Sequence, residues 1–235
     1  MDKTLQGRVI AITGAFGNLG LALAAGAVAR GAQVAMLGRS GVDGVVLPAA
    51  LGDALLLGGV DVASLASAEQ AMARIEARFG RLDGLVNAAG AFRWQTLAEG
   101  GLAGWDQLYA ANLRTAVTAC KAALPLLRRA DAGRIVNIGA AGALKAGAGM
   151  GAYAASKAGV ARLTESLAEE LKDAGVTVNA VLPSIIDTPQ NRADMPDADV
   201  ARWVTPAALA EVILFLLGDA AAAVTGALIP VTGRV

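Results

Sequence analysis

Two side chains in this sequence, a tyrosine and a lysine four residues apart, are well suited to proton transfer. Tyr153 and Lys157 stand in the segment Tyr-Ala-Ala-Ser-Lys, one helical turn apart, so both side chains can face the same cleft. An ammonium group stabilises a nearby phenolate and lowers the phenol pKa from about 10 toward neutral pH. Tyr153 is therefore a candidate general acid and base, tuned by Lys157. The alternative is an aromatic packing residue beside a solvated lysine.

A glycine-rich turn far upstream is typical of a dinucleotide site. Residues 13–20 have the sequence Thr-Gly-Ala-Phe-Gly-Asn-Leu-Gly, follow an apolar strand-like run and precede an alanine-rich segment. Backbone amides at the start of such a helix bind a pyrophosphate, and the glycines allow the sharp turn and close packing. A glycine turn that serves packing alone is the alternative. The residues assigned to this site are Gly14, Phe16, Gly17, Asn18, Leu19 and Gly20.

Two further segments follow predicted parallel strands, whose carboxyl ends are where this architecture binds ligands. Asp61 and Val62 follow the third strand, and the carboxylate can either accept from an adenine amino group or cap the helix that starts near Ser64. After the fourth strand comes a run of small residues that we assign to the cofactor site. This run is Asn87, Ala88, Ala89 and Gly90.

The end of the second strand predicts which dinucleotide such a site would prefer. An acid at residue 38 would bind the adenine ribose hydroxyls of NAD(H), but this residue is Gly38. Arg39 and Ser40 can instead contact the 2′-phosphate of NADP(H). The sequence thus favours NADP(H), with Arg39 as an ordinary surface charge as the alternative.

The elements that carry these residues predict one doubly wound α/β domain over residues 1–235, a Rossmann-type parallel sheet with helices on both faces. Apolar, β-branched runs alternate with longer segments of helical period. Strands are expected near 8–13, 33–37, 54–60, 82–87, 133–139, 176–182 and 226–231. Helices are expected near 18–30, 64–79, 103–129, 152–174 and 205–218, with Pro125 bending the third or marking its last turns. Segment 40–53 is too short for a long helix, and segment 183–204, with three prolines, is expected to be a loop or lid.

Composition excludes several functions. The 235 residues are 55% hydrophobic and carry no formal net charge. We therefore expect neither a nucleic acid nor an anionic membrane as a partner. The expected partner is a small molecule. Histidine is absent and Cys120 is the only cysteine, which removes Ser-His-Asp triads and the usual zinc sites; no metal is expected. The start, Met1 to Thr4, has no export signal, and we expect a cytoplasmic protein.

Together with Asn112, Tyr153 and Lys157, the order of these elements resembles the short-chain dehydrogenase/reductase family over essentially the whole chain. The resemblance implies a Rossmann-type fold and NAD(P)(H)-dependent hydride transfer. It also implies that Asn112 kinks its helix and holds a water molecule linked to Lys157, against the alternative of a surface asparagine. The resemblance further implies association through helices 103–129 and 152–174, whose alanine-rich faces suit close contact, so that a homodimer or homotetramer is expected. Asn18 replaces a glycine of the family pattern and tolerates left-handed backbone.

One position departs from the family. Thirteen residues before Tyr153, where the family has a substrate-orienting serine, stands Ala140, and a lost hydrogen bond to a carbonyl there costs about 2–4 kcal/mol in the transition state. Segments 180–192 and 195–199, with Trp203, resemble the dihydropteridine reductase branch, which lacks this serine and reduces a quinonoid dihydropterin. The alternative is that 183–204 is only a structural lid shared by relatives with other substrates. Gly38 departs from that branch, which has an acid there and prefers NADH. An ordinary carbonyl or alcohol oxidoreductase and a non-catalytic NADP(H)-binding sensor or scaffold are the alternatives.

The remaining candidates lie in loops at the cofactor end of the sheet. We assign Pro183, Ile186 and Thr188 to the cofactor. The substrate pocket is expected to include Ala140, Trp94, Met150, Ile185 and Trp203, for which core packing is the alternative.

Overall fold

The computed structural model of the chain describes residues 4–42 and 47–235. In this part of the chain the strands form one parallel sheet in the order β3-β2-β1-β4-β5-β6-β7. The strands are β1 (Val9–Thr13), β2 (Gln33–Leu37), β3 (Leu55–Leu57), β4 (Gly84–Asn87), β5 (Arg134–Ile138), β6 (Thr177–Pro183) and β7 (Leu228–Val231). The α-helices are α1 (Asn18–Ala29), α2 (Leu65–Phe79), α3 (Leu102–Leu108), α4 (Thr115–Leu127), α5 (Gly151–Leu171), α6 (Pro189–Asp194) and α7 (Pro206–Leu217). A π-helical turn, Tyr109–Arg114, joins α3 to α4.

Helices cover both faces of the sheet, which confirms the predicted fold class. In β1, Val9 and Ala11 pack into one core cluster together with α2, α4 and α5. Ile10 and Ile12 pack into the opposite cluster with α1 and α7. Because successive side chains of a strand point to opposite faces, a strand covered on both faces must be apolar throughout. All five residues of β1 are buried accordingly.

The strand order reverses between β1 and β4, and this reversal positions the site. From β1 the chain proceeds outward through β2 and β3, and from β4 it proceeds in the other direction through β5, β6 and β7. The loops after β1 and β4 therefore diverge to opposite faces and leave a crevice at the carboxyl edge of the sheet, where ligands bind in this architecture.

The third predicted helix, 103–129, is wrong as a single α-helix. It is divided into α3, the π-helical turn and α4. The π-helical turn contains Asn112, whose side-chain amide makes two hydrogen bonds to the backbone of Ala91. Pro125 lies in the last turn of α4, in agreement with one of the two expectations for it. The third strand is also shorter than predicted, because Gly59 adopts a positive φ of 71° after Gly58.

The prediction of a loop throughout 183–204 is wrong in part. α6 forms within it because Thr188 caps the helix by accepting from the amide of Asn191 and Pro189 occupies its first turn. A bridge between Ile186 and Val204 then closes the segment. Two other expectations, an absent export signal at the start and no long helix within 40–53, fall partly on residues 1–3 and 43–46, outside the described residues.

Candidate active site

Two adjoining cavities lie along the carboxyl edge of the sheet. The first cavity has a volume of about 400 Å³ and lies over the ends of β2 and the segment after β3. The second cavity has a volume of about 500 Å³ and lies between α5, the loop after β5 and the segment after β6. Gly90 and Ala91 line both cavities, so one extended ligand can occupy the two together.

The glycine-rich turn has the geometry of an anion cradle. Gly14 has a φ of 64°, and a Cβ atom there would lie 2.8 Å from the Cα of Ala89. At Gly20 a Cβ would lie 2.5 Å from the Cα of Ala15, so helix and turn pack without space for a side chain. Gly17, the N-cap of α1, offers no side-chain acceptor. The first amides of α1 are therefore left to bind an anion, which the helix dipole also favours.

Among the described residues that line the first cavity there are one cation and one carboxylate. Arg39 lines it and is exposed, and among residues 4–42 and 47–235 no carboxylate forms an ion pair with its guanidinium. Asp61 also lines this cavity, and its Oδ1 accepts from the amide of Ala63 at 3.0 Å. Ser64, and not Asp61, is the N-cap of α2. Gly38, which has no side chain to reach a ribose, completes this wall.

α5 brings Tyr153 and Lys157 to the wall of the second cavity. The ring of Tyr153 packs edge to face against Phe92, with centroids 5.0 Å apart and planes at 83°. Lys157 is buried, and its Nζ donates to the carbonyl oxygen of Ile138 at 2.7 Å. The phenol and the ammonium thus share one cleft, as their spacing on a helix predicts.

Burial governs the ionisation of both groups. It raises the pKa of the Tyr153 phenol to about 12 and lowers the pKa of the Lys157 ammonium to about 8, because the charged form of each group loses hydration. The expected lowering of the phenol pKa by the ammonium is not found, since the surroundings of Tyr153 are apolar and Lys157 holds Ile138. At neutral pH, Tyr153 keeps its proton and can act as a proton donor.

Asn112 braces the site from outside the cavities. Its Oδ1 accepts from the amide of Ala91 at 2.8 Å, and its Nδ2 donates to the carbonyl of Ala91 at 3.0 Å and to Oγ of Ser156 at 2.9 Å. The Ser156 hydroxyl in turn donates to the carbonyl of Tyr153 at 2.7 Å. Asn112 is 1% exposed, so the surface alternative is wrong. This network ties the loop after β4 to the helical turn that carries Tyr153.

The described structure places most predicted site residues on the cavity walls. The first cavity is lined by Gly14, Arg39, Asp61, Val62, Ala89 and Gly90. The second cavity is lined by Leu19, Ala88, Gly90, Ala140, Met150, Tyr153, Lys157, Pro183, Ile185, Ile186 and Thr188. The predicted residues outside both walls are Phe16, Gly17, Asn18, Gly20, Ser40, Asn87, Trp94, Asn112 and Trp203.

Three of these side chains are held elsewhere for identifiable reasons. Asn87 is buried, and its Nδ2 donates to Oδ1 of Asn137 at 2.8 Å, so it links two strands of the sheet. Trp203 is buried in the protein and does not face the second cavity. Trp94 donates from Nε1 to the carbonyl of Ala148 at 3.0 Å, and its ring covers Gly149. The prediction that Trp94 and Trp203 line the substrate pocket is therefore wrong.

Several residues that line the second cavity were not predicted from the sequence. Phe92, Ser184, Asn191 and Met195 line it. Phe92 stands two residues after Gly90, and its position just beyond a parallel strand was a usable signal. Asn191 and Met195 reach the cavity only because α6 forms and folds back, which the sequence pattern does not indicate.

Comparisons with known proteins agree with this arrangement. Residues 8–199 match the family model described as short chain dehydrogenase. The chain is 34% identical to 2-(S)-hydroxypropyl-CoM dehydrogenase 3 of Xanthobacter autotrophicus, over 99% of this chain and 98% of that protein. It is 33% identical to the 3-oxoacyl-(acyl-carrier-protein) reductase FabG of Salmonella typhimurium, over 98% of each chain. A short-chain type dehydrogenase/reductase from Mycobacterium ulcerans superposes with a TM-score of 0.91 at 28% identity, over 98% of this chain and 90% of that one.

Proposed function

The chain belongs to the short-chain dehydrogenase/reductase family and is an oxidoreductase, and on this premise we propose that it is an NADP(H)-dependent reductase with Tyr153 as its proton donor. The single observation that carries the proposal is the presence of Tyr153 and Lys157 on the wall of a cavity that adjoins the anion cradle. A dinucleotide spans two such cavities, with its pyrophosphate at the start of α1.

The residues present fit NADP(H). The sharp turn at Gly14 and the amides at the start of α1 suit the pyrophosphate, and the first cavity suits the adenosine. Gly38 offers no carboxylate to the ribose hydroxyls, whereas the exposed guanidinium of Arg39 suits a 2′-phosphate. These two features support NADP(H) over NAD(H).

NADPH, when bound, would supply the hydride. Tyr153, which is protonated at neutral pH because burial raises its pKa to about 12, donates its proton to the acceptor atom that becomes anionic. Lys157 lies on the same wall and can hold the ribose of the nicotinamide half while its charge stabilises the phenolate that remains. Asn112 and Ser156 keep the Tyr153 turn in place through the hydrogen bonds described above.

The acceptor is proposed to be a conjugated, readily reduced ring. Ala140 lies on the wall of the second cavity and cannot donate to a carbonyl oxygen. An acceptor that spreads its developing charge over a conjugated system needs that donor less than a saturated ketone does. The resemblance to dihydropteridine reductase supports a quinonoid acceptor, although Gly38 differs from that branch. An ordinary carbonyl reductase is the second candidate, supported by the 3-oxoacyl reductase relatives.

The decisive test is Tyr153→Phe, which removes only the phenolic hydroxyl. We expect kcat to fall by about 10²–10⁴-fold, while the dissociation constant of NADPH, measured by thermal shift, stays unchanged. Tyr109 is exposed and is the only other tyrosine, so Tyr109→Phe is the matched control. The acceptor panel contains a quinonoid dihydropterin, a quinone and a saturated ketone.

Unchanged turnover in Tyr153→Phe would refute the assigned role. Tight NADPH binding without turnover of any acceptor in the panel would support the non-catalytic sensor instead. The cytoplasmic location and the homodimer or homotetramer stay predictions; within the described residues, no helix is both long and apolar enough to cross a membrane.

A further inference from the structure

The described residues that line the second cavity include no free charged group. Lys157 is the single ionic side chain among the described residues that line it, and no carboxylate does so. Lys157 is 5% exposed, and its ammonium group already donates to the carbonyl of Ile138. A charged group on a substrate would therefore meet no free ionic side chain in the described part of this wall, and an unpaired charge is costly where binding removes its hydration.

Ser184, Thr188 and Asn191, the neutral polar side chains of this wall other than Tyr153, each make one hydrogen bond within the protein. Oγ of Ser184 donates to the carbonyl of Thr232 at 2.7 Å. Nδ2 of Asn191 donates to the carbonyl of Ile186 at 2.7 Å, and Oγ1 of Thr188 accepts from the amide of Asn191. These three side chains hold the segment that follows β6. The Tyr153 hydroxyl has no such partner in the described part of the chain.

The rest of the wall is apolar and rich in polarisable atoms. It includes Phe92, Ile138, Ala140, Met150, Ile185 and Met195. Thioether and aromatic groups contact flat conjugated molecules well and adapt to their shape. Phe92 stays 58% exposed although it lines the cavity, so a bound ring would bury an apolar surface that now faces solvent.

From this wall we infer that the acceptor is an uncharged, largely apolar conjugated molecule, of the quinone class, whose one recognised polar atom is the oxygen that Tyr153 protonates. The inference rests on the proposed function and narrows it: it favours a quinone over a quinonoid dihydropterin, whose amide and amino groups would require several partners. In the reaction, the quinone gains a hydride from NADPH and a proton from Tyr153, solvent restores that proton, and the products are NADP⁺ and the hydroquinone.

The test uses two quinones that differ in charge, 1,2-naphthoquinone and 1,2-naphthoquinone-4-sulfonate. We expect kcat/KM with NADPH to be at least about tenfold lower for the sulfonate, after subtraction of the rate given by Tyr153→Phe. Dissociation constants for both quinones are measured in the complex with NADP⁺ by thermal shift, so that the comparison does not depend on the reduction potentials.

A designed cation separates charge from other differences between the two quinones. Met195 is half-buried on the wall of the cavity, and Met195→Arg supplies the missing counter-ion, with Met195→Gln as the uncharged control. The sulfonate-to-quinone ratio of kcat/KM should rise in Met195→Arg about tenfold above that in Met195→Gln.

Each outcome is decisive. Equal dissociation constants for the two quinones, binding of neither, or the same ratio in both Met195 variants would overturn the inference. If the wild-type protein binds neither NADPH nor NADH, the proposed function itself is wrong. Binding of NADPH together with indifference to the sulfonate would leave the proposed function standing and remove only the inference about the acceptor.

Discussion

The ring of Phe16 lies directly against Gly38 at the end of β2. A Cβ atom on residue 38 would be 2.3 Å from Cδ2 of Phe16 and 2.7 Å from its Cε2, which is closer than two non-bonded carbon atoms approach in proteins. The ring therefore occupies the space that a side chain at residue 38 would need. An acid at this position is what selects NAD(H) in this architecture. The Phe16 ring thus fills the space that the selecting side chain would need.

This contact predicts how cofactor preference can be changed. Gly38→Asp alone should weaken NADPH binding without creating good NADH binding, because the carboxylate must displace the Phe16 ring. The double variant Phe16→Ala/Gly38→Asp should bind NADH at least about tenfold more tightly than Gly38→Asp does, a non-additive effect typical of residues in contact. Isothermal calorimetry on both cofactors measures it. Equal NADH affinity in the two variants would disprove the coupling.

Burial of Lys157 predicts a pH-dependent stability. Because burial lowers its pKa to about 8, from pH 8 upward the folded lysine is neutral while the unfolded one stays charged. The unfolded state then binds more protons, so this residue makes the free energy of unfolding rise with pH. Above pH 10 the effect is opposed by Tyr153, whose pKa is raised to about 12, because the unfolded phenol loses its proton first.

The measurement compares melting temperatures of the nucleotide-free protein and Lys157→Met between pH 8 and 10. Any stability advantage of the methionine variant should shrink across this range, since methionine does not titrate. Lys145→Met, at an exposed position, is the control and should run parallel to the wild type. Parallel curves for Lys157→Met as well would mean that the lysine is not dehydrated in the folded protein.

Ala140→Ser should move the enzyme toward saturated ketones. The new hydroxyl lies on the cavity wall and can donate to a ketone oxygen, so kcat/KM for ketones should rise by about 10-fold or more. Quinone reduction should change much less, because its developing charge is delocalised. Ala141→Ser, on the same wall, is the control for added polarity. An equal gain with both classes of acceptor would contradict the interpretation of Ala140.

Gly90→Ala should disturb the catalytic residues as well as the cofactor-binding cavity. The added Cβ would lie 2.9 Å from Oδ1 of Asn112 and 3.3 Å from Nζ of Lys157, so both groups must shift. We expect a loss of stability of about 1–3 kcal/mol and a fall in both NADPH affinity and kcat. Gly52→Ala, at an exposed residue with φ of -58° where a Cβ would lie 3.4 Å from the carbonyl oxygen of Ala49, is the control and should leave all three nearly unchanged. Denaturant titration and steady-state kinetics report these values.

The sequence pattern was sufficient for the parallel sheet and for Tyr153 and Lys157, because these depend on local periodicity. β1 is apolar on both faces, and a tyrosine and a lysine one turn apart on a helix must share a face. Both predictions hold because they depend only on residues that are close together in the sequence.

What the pattern missed depends on contacts between distant segments. The position of the Trp94 side chain depends on its hydrogen bond to the carbonyl of Ala148. The position of the Asn87 side chain depends on its hydrogen bond to Asn137 on the neighbouring strand. Likewise, the contact of Phe16 with Gly38 follows from the docking of the glycine-rich turn beside β2. The ionisation of Tyr153 could not be inferred from its neighbour in sequence either, because burial is a property of the folded chain.

The π-helical turn at Tyr109–Arg114 has a consequence for how this protein tolerates change in length. Such a turn accommodates one surplus residue inside a helix, so the residues before and after it keep the faces they would have in an unbroken helix. A one-residue deletion there should therefore be absorbed: α3 and α4 would merge and keep their packing, while Asn112 would lose its hold on Ala91. A protein shortened by one residue in this turn is therefore expected to stay folded and be inactive.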